Sequence, residues 1–224
     1  MLRLALFDCD GTLVDSQHEI TAAMKVCFES HGLVAPDLND IRQVVGIPLM
    51  QAISQLAGME DGPKLEQMTT DYREAYADLR IRGEDHEPLF EGTVEAMDRL
   101  EQAGWLLGVA TGKSRGGMVN SLEKHGILNR FITTHTADEP PGKPHPEGIH
   151  RACRETGVDE PNCVMIGDTA YDIRMAKAAK VPSIGVTWGY HSADQLEAEG
   201  ADLIIERFDQ LFDAMESLVP LKAD

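Results

Sequence analysis

The sequence predicts an α/β protein built on a Rossmann-like parallel sheet, with an all-helical cap inserted after the first strand. Three observations carry that prediction. An apolar run at residues 4–7 opens the chain and breaks on an aspartate. From residue 88 onward, short apolar runs alternate with helical patterns, the order expected of β-α units in a parallel sheet. Between these regions, residues 15–87 contain helical periodicity and no convincing strand.

The first strand is expected at 4–7, and the next five at 106–110, 131–133, 164–166, 183–186 and 203–205. Core helices are expected near 94–103, 115–125, 146–156, 171–179 and 193–199, each followed by Gly, Lys or a polar turn. The inserted segment opens with Ser16-Gln17-His18-Glu19, which has the form of a capping box. Ile20, Ala23, Met24, Cys27 and Phe28 then recur at helical spacing until His31-Gly32 stops the helix. Further cap helices are expected at 40–45, 48–56 and 63–82, the last with Leu65, Met68, Tyr72, Ala75, Tyr76 and Leu79 on one face. The organisation is thus a core of residues 1–14 and 88–224 and a cap of residues 15–87, hinged at 12–16 and 87–92.

A chain of 224 residues with 42% hydrophobic content can bury a sizeable core. Its formal net charge of −18, from 38 acidic and 20 basic residues, disfavours nucleic acid and an anionic membrane surface as partners. Cys9, Cys27, Cys153 and Cys163 show no metal-finger or redox spacing, and are read as reduced, buried thiols. The apolar run at 4–7 is too short for a signal-peptide core and no run approaches membrane-spanning length, so a cytoplasmic protein is expected. Nothing in these patterns indicates an oligomeric state.

Open α/β sheets bind ligands beyond the carboxyl ends of their strands. Four strand ends here carry reactive groups: Asp8-Cys9-Asp10-Gly11-Thr12, Thr111-Gly112-Lys113, Gly142-Lys143-Pro144 and Asp168-Thr169-Ala170-Tyr171-Asp172. A single strand-end aspartate can be a turn cap. Four such ends converging on one crevice point to chemistry. Carboxylate clusters select hard Mg²⁺, and Asp8, Asp168 and the Asp10 carbonyl are the candidate ligands. Asp8 is then a candidate nucleophile toward phosphorus, giving a phospho-aspartate. Lys143 and Thr111 are candidates to hold the remaining phosphate oxygens, and Asp10 to serve as general acid and base.

The segment Phe7-Asp8-Cys9-Asp10-Gly11-Thr12-Leu13-Val14-Asp15-Ser16 resembles motif I of the haloacid dehalogenase (HAD) superfamily. The resemblance continues through Thr111, through Lys143 in Lys-Pro-His-Pro-Glu, and through Gly167-Asp168-Thr169-Ala170-Tyr171-Asp172-Ile173. The insertion resembles the type 1 cap of the phosphoglycolate phosphatase-like subgroup. That likeness implies an HAD-like fold and a Mg²⁺-dependent phosphatase acting on a small phosphorylated metabolite, phosphoglycolate-like in kind. It implies Asp8 as nucleophile and metal ligand, Asp10 as acid/base and carbonyl ligand, and Asp168 as metal carboxylate. It also implies that Asp172 orients Lys143 or a metal water. Relatives usually have Asn after the motif II hydroxyl, where this chain has Gly112; the backbone N–H that would reach phosphate survives.

Cys9 is directed away from the carboxylates by strand alternation. Lys113 is either a further positive charge near phosphate or a surface lysine. His145 is explained by its turn, and Met50, Met59 and Met68 by gap-filling in the cap core. Two rivals to the phosphatase reading are a hexose-phosphate mutase and a catalytically silent binding module. The mutase requires a polar group where Ile20 stands, and the silent module does not require the intact Asp8, Asp10, Lys143 and Asp168.

Overall fold

The computed structural model describes residues 1–84 and 86–221. Six strands form one parallel sheet: β1 (Arg3–Phe7), β2 (Trp105–Ala110), β3 (Thr133–His135), β4 (Cys163–Gly167), β5 (Ser183–Val186) and β6 (Leu203–Ile205), in the order β3-β2-β1-β4-β5-β6. The chain builds outward from β1 through β2 to β3, then returns to the opposite side of β1 for β4. That reversal places a topological switch point between β1 and β4, where open sheets leave a crevice. Phe7 is in register with both Val109 and Ile166, so the residues following all three strands lie at the same level.

Strand alternation sends β1 side chains to two separate cores. Ala5, Phe7 and Cys9 pack on one face with residues of α5 (Thr93–Gln102), α6 (Arg115–Lys124) and α10 (Leu211–Leu218). Leu4 and Leu6 pack on the other with α7 (Glu147–Thr156) and α8 (Ala170–Ala179). Both sheet faces are therefore covered, as a parallel sheet requires. A short α9 (Ala193–Ala198) connects β5 to β6. All four cysteines are free and buried. None of the helices among the described residues is long and apolar enough to cross a membrane.

The third strand starts two residues later than the apolar pattern suggests. Leu128–Arg130 forms a 3-10 turn, and Phe131 drops beneath the sheet edge-on to Phe7, with ring centroids 6.5 Å apart. Ile132 is left exposed, and pairing begins only at Thr133.

Between β1 and α5 the described chain is helical: α1 (Gln17–Ser30), α2 (Leu38–Val44), α3 (Leu49–Ala57) and α4 (Pro63–Ile81). Ile20, Met24, Cys27 and Phe28 of α1 meet Ile53 of α3 and Leu65, Met68 and Tyr72 of α4 in a core of their own. The second helix begins two residues earlier than expected because Asp37 caps it, accepting the Asp40 N–H at 2.9 Å. The expected capping box at Ser16 does not form. Ser16 gives its hydroxyl to Asp10 at 2.5 Å, and Glu19 accepts the His86 N–H at 2.7 Å. These two side chains therefore tie the start of α1 to the core and to the returning chain. The two crossing segments also bond directly, Asp15 N–H to the Pro88 carbonyl at 2.8 Å and Phe90 N–H to the Leu13 carbonyl at 3.1 Å.

Candidate active site

The ends of β1 and β4 bring Asp8 and Asp168 together with Asp172 from the first turn of α8. A carboxylate oxygen from each lies within 4.8 Å of the others. Asp8 Oδ1 accepts the Cys9 N–H at 2.6 Å and faces Lys143 Nζ at 2.8 Å, while Asp8 Oδ2 is buried with no hydrogen-bond partner. Asp168 is held on both oxygens, by the Thr12 hydroxyl at 2.8 Å and the Tyr190 N–H at 2.9 Å. Gly11 and Gly189 let the backbone close over it, since a Cβ at either would fall 2.2 or 2.3 Å from an Asp168 side-chain atom. Asp172 gives one oxygen to Lys143 at 2.6 Å and the other to the Thr169 N–H and hydroxyl, so the cap of α8 fixes the lysine.

Three buried carboxyls face a single ammonium here, an excess of negative charge in a site with little solvent. Burial, opposed by Lys143, pushes the Asp8 carboxyl up to about 7. Burial and then the neighbouring Asp8 and Asp172 raise Asp168 well above the usual carboxylate range. Burial alone would lower Lys143, but Asp172 and Asp8 outweigh it and hold the ammonium above its ordinary value. A divalent cation would relieve this excess. The unpartnered Asp8 oxygen, beside the oxygen-only donor set, fits such an ion.

Asp10 belongs to a second cluster. Its Oδ1 accepts from Ser16 Oγ at 2.5 Å and from Lys113 Nζ at 2.6 Å. Lys113 also reaches Glu87 Oε1 at 3.0 Å and the Tyr76 hydroxyl at 3.2 Å. Glu87 accepts the Tyr76 hydroxyl and, at 2.6 Å, the Ser121 hydroxyl. Lys113 is thus buried, and its charge is answered by two carboxylates. The surface reading of this lysine does not hold.

Thr111 is buried at the end of β2, where its backbone N–H bonds the His135 carbonyl and its side-chain oxygen accepts the Lys113 N–H at 3.2 Å. Gly112 lies against the cap. A Cβ there would stand 2.3 Å from the Gly46 carbonyl oxygen, and one at Gly142 would stand 2.7 Å from Pro48 Cγ. The turn between α2 and α3 is therefore seated directly on the core. Above Asp8 and Asp10 a cavity of about 460 Å³ runs between Thr111-Gly112-Lys113 and the cap helices.

The fold thus brings Asp8, Lys143, Asp168 and Asp172 into one cluster, with Asp10, Thr111 and Gly112 along the adjoining cavity. Sequence reasoning missed Thr12 and Tyr190, which grip Asp168, and Glu87, Tyr76 and Ser16, which surround Lys113 and Asp10. The hydroxyl of Thr12, next to the motif I glycine, was a signal that could have been used. Nothing local in the sequence marks Tyr190, which arrives from the loop after β5.

The profile of the family described as haloacid dehalogenase-like hydrolase matches residues 5–186. A Dickeya dadantii (strain 3937) protein named Probable phosphatase IndB is 34% identical over 230 residues, covering 100% of this chain and 97% of that one. A phosphoglycolate phosphatase of Agrobacterium fabrum is 32% identical over 226 residues, covering 96% and 94% respectively. Among solved structures, a Bacteroides fragilis protein carrying the haloacid dehalogenase-like hydrolase name superimposes with a TM-score of 0.87 at 29% identity. It covers 94% of this chain and 100% of its own.

Proposed function

Because the chain belongs to the haloacid dehalogenase-like hydrolase family, as one of its phosphatases, we propose that it hydrolyses a small phosphomonoester with Mg²⁺ through a phospho-aspartate on Asp8. The observation that carries this reading is Asp8 Oδ2, a buried carboxylate oxygen without a partner, on a side chain that adjoins Asp168 and Lys143 at the floor of the cavity. An oxygen so placed has been desolvated in advance and its sister oxygen is already oriented.

Asp8 and Asp168, with the Asp10 carbonyl, would hold Mg²⁺, which when bound neutralises charge on the phosphate oxygens. The Asp8 carboxylate attacks phosphorus as the ester P–O bond breaks, and Asp10 gives its proton to the departing alkoxide. Lys143 and the Thr111 hydroxyl, with the Gly112 N–H, hold the equatorial oxygens. Asp10, now a carboxylate, takes a proton from water, whose oxygen attacks phosphorus. The acyl-phosphate bond breaks, freeing inorganic phosphate and restoring Asp8. Asp172 keeps Lys143 in place throughout. Residues 15–87 act as a cap whose closure, with the 46–48 turn on Gly112 and Gly142, excludes bulk water.

Relatives named phosphoglycolate phosphatase make glycolate one candidate leaving group. The test is release of inorganic phosphate from a panel of phosphate esters with Mg²⁺, with EDTA, and in Asp8→Asn. Turnover that vanishes with EDTA, returns with Mg²⁺ and falls by several orders of magnitude in a folded Asp8→Asn is expected. Full activity after chelation, or in Asp8→Asn, would end the proposal.

A further inference from the structure

The cap side of the cavity is mostly apolar. Ile20 and Met24 of α1, Val44 of α2, and Tyr72 and Tyr76 of α4 all line it. Cavities of roughly 300–1,000 Å³ suit ligands of drug-like size, and 460 Å³ is far more than a glycolate requires. A two-carbon polar leaving group would leave most of this apolar wall against water.

At the solvent-exposed edge of this wall stand two cations, Arg73 and Arg80, both on the cavity-lining stripe of α4. Among the described residues neither makes a hydrogen bond or ion pair through its side chain. Every other arginine of the chain is tied to a carboxylate or, for Arg42, to the Gln17 amide oxygen. In a chain of net charge −18, acidic partners are plentiful, so two unanswered guanidinium groups on one cavity wall stand out. They lie three and four residues either side of Tyr76, within about a helical turn of it. Tyr76 in turn touches the lysine that holds Asp10. The arginines therefore share one cavity with Asp10, and a guanidinium fork matches a carboxylate or phosphate in shape and charge.

We propose that Arg73 and Arg80 form a second anion site, and that the substrate is a phosphomonoester whose leaving group has an apolar body and a further anionic group. This rests on the phosphatase reading of Asp8 and names the substrate class for it. The anion would be held by charge-assisted hydrogen bonds, while the body displaces water from the apolar wall between α1 and α4.

The test compares 4-carboxyphenyl phosphate with its neutral isostere 4-carbamoylphenyl phosphate, with 1,4-phenylene bisphosphate and with phosphoglycolate. In wild type, kcat/KM for the carboxylate ester or the bisphosphate should exceed that for the carboxamide by about tenfold or more. Whichever gains more identifies the anion as carboxylate or phosphate. That ratio should fall toward one in Arg73→Gln/Arg80→Gln and be partly restored in Arg73→Lys/Arg80→Lys. Both anionic aryl esters should be preferred to phosphoglycolate, which has the charge without the body. Efficient hydrolysis of all the esters with no preference for the charged ones, or a preference that survives both Gln substitutions, would overturn the inference and leave the phosphatase reading standing. A strong preference for phosphoglycolate would overturn the apolar body. Hydrolysis of none would bring down the phosphatase reading and this inference with it. The wild-type comparisons decide the matter even if a variant does not fold.

Discussion

Lys113 Nζ lies 2.6 Å from Asp10 Oδ1, and the same ammonium reaches Glu87 at 3.0 Å, so one buried cation joins the proposed acid/base residue to the segment that returns from the helical insertion. Tyr76, from the cap helix α4, closes the cluster from the other side. Asp10 is therefore oriented by groups on the core, the returning segment and the cap together.

Replacing Lys113 with Met should leave Asp10 and Glu87 as buried carboxylates without their cation. Breaking a buried pair in this way costs about 3–5 kcal/mol, so the melting temperature should fall by many degrees. Activity should fall further than stability explains, because Asp10 loses its orientation. In protein that remains folded at low temperature, kcat should drop by about 10²–10⁴-fold while KM changes little. A Lys113→Met enzyme with unchanged kcat would show that this lysine is only structural.

Asp8 gives the metal-free protein a distinctive pH dependence. Its carboxyl is raised from 3.8 to about 7 by burial, so the folded state keeps a proton that the unfolded chain has released. The stability this provides is complete below about 4 and is lost as the pH rises to about 7. In EDTA, Asp8→Asn should therefore match wild type in melting temperature near pH 4 and exceed it by several degrees at pH 8. Added Mg²⁺ should raise wild type and close the gap. A difference between the two proteins that does not vary with pH would contradict the assignment of this shift to Asp8.

Gly112 is constrained by the cap as well as by its proposed contact with phosphate. Any side chain at this position would collide with the Gly46 carbonyl, which belongs to backbone and cannot swing away. Gly112→Asn, which supplies the residue more usual in relatives, should hold the 46–48 turn off the core. We expect kcat/KM to fall by about tenfold or more with little change in melting temperature, since the cap helices keep their own core. Activity equal to or above wild type would show that the turn relocates without cost.

How much of this could be read from the sequence depended on the range of each interaction. The apolar runs of β1, β2 and β4 and the carboxylates after them are local patterns, and the parallel-sheet expectation that follows from them is met by the six-stranded sheet. Phe131 was read as strand because its hydrophobicity alone cannot distinguish a sheet residue from a plug under Phe7. Ser16 and Glu19 had the spacing of a capping box, but stronger partners, the Asp10 carboxylate and the His86 backbone N–H, took both side chains. Lys113 could not be resolved between surface and site because Glu87 and Tyr76, which bury it, come from segments 26 and 37 residues away. Gly112 could be weighed only as a missing amide until the Gly46 carbonyl was seen to fill its space.

The sharpest rival to hydrolysis is phosphoryl transfer back to a second hydroxyl of the same sugar, and the cap wall separates the two. A mutase must keep water from the phospho-aspartate and restrain Asp10 until the accepting hydroxyl arrives, which calls for a polar group on the first cap helix facing the site. In this protein that wall position is Ile20, which lines the cavity, while His18 is exposed on another face of α1. The hydrogen bonds that restrain Asp10 come instead from Ser16 and Lys113. With nothing on α1 to make Asp10 wait for a substrate hydroxyl, water should be the acceptor. Supplied with β-glucose 1-phosphate and a trace of glucose 1,6-bisphosphate, the enzyme should release inorganic phosphate without forming glucose 6-phosphate. Ile20→His should leave that outcome unchanged or slow phosphate release, because an imidazole there can compete with water for Asp10. Glucose 6-phosphate appearing faster than phosphate in wild type would replace the hydrolase reading with a mutase.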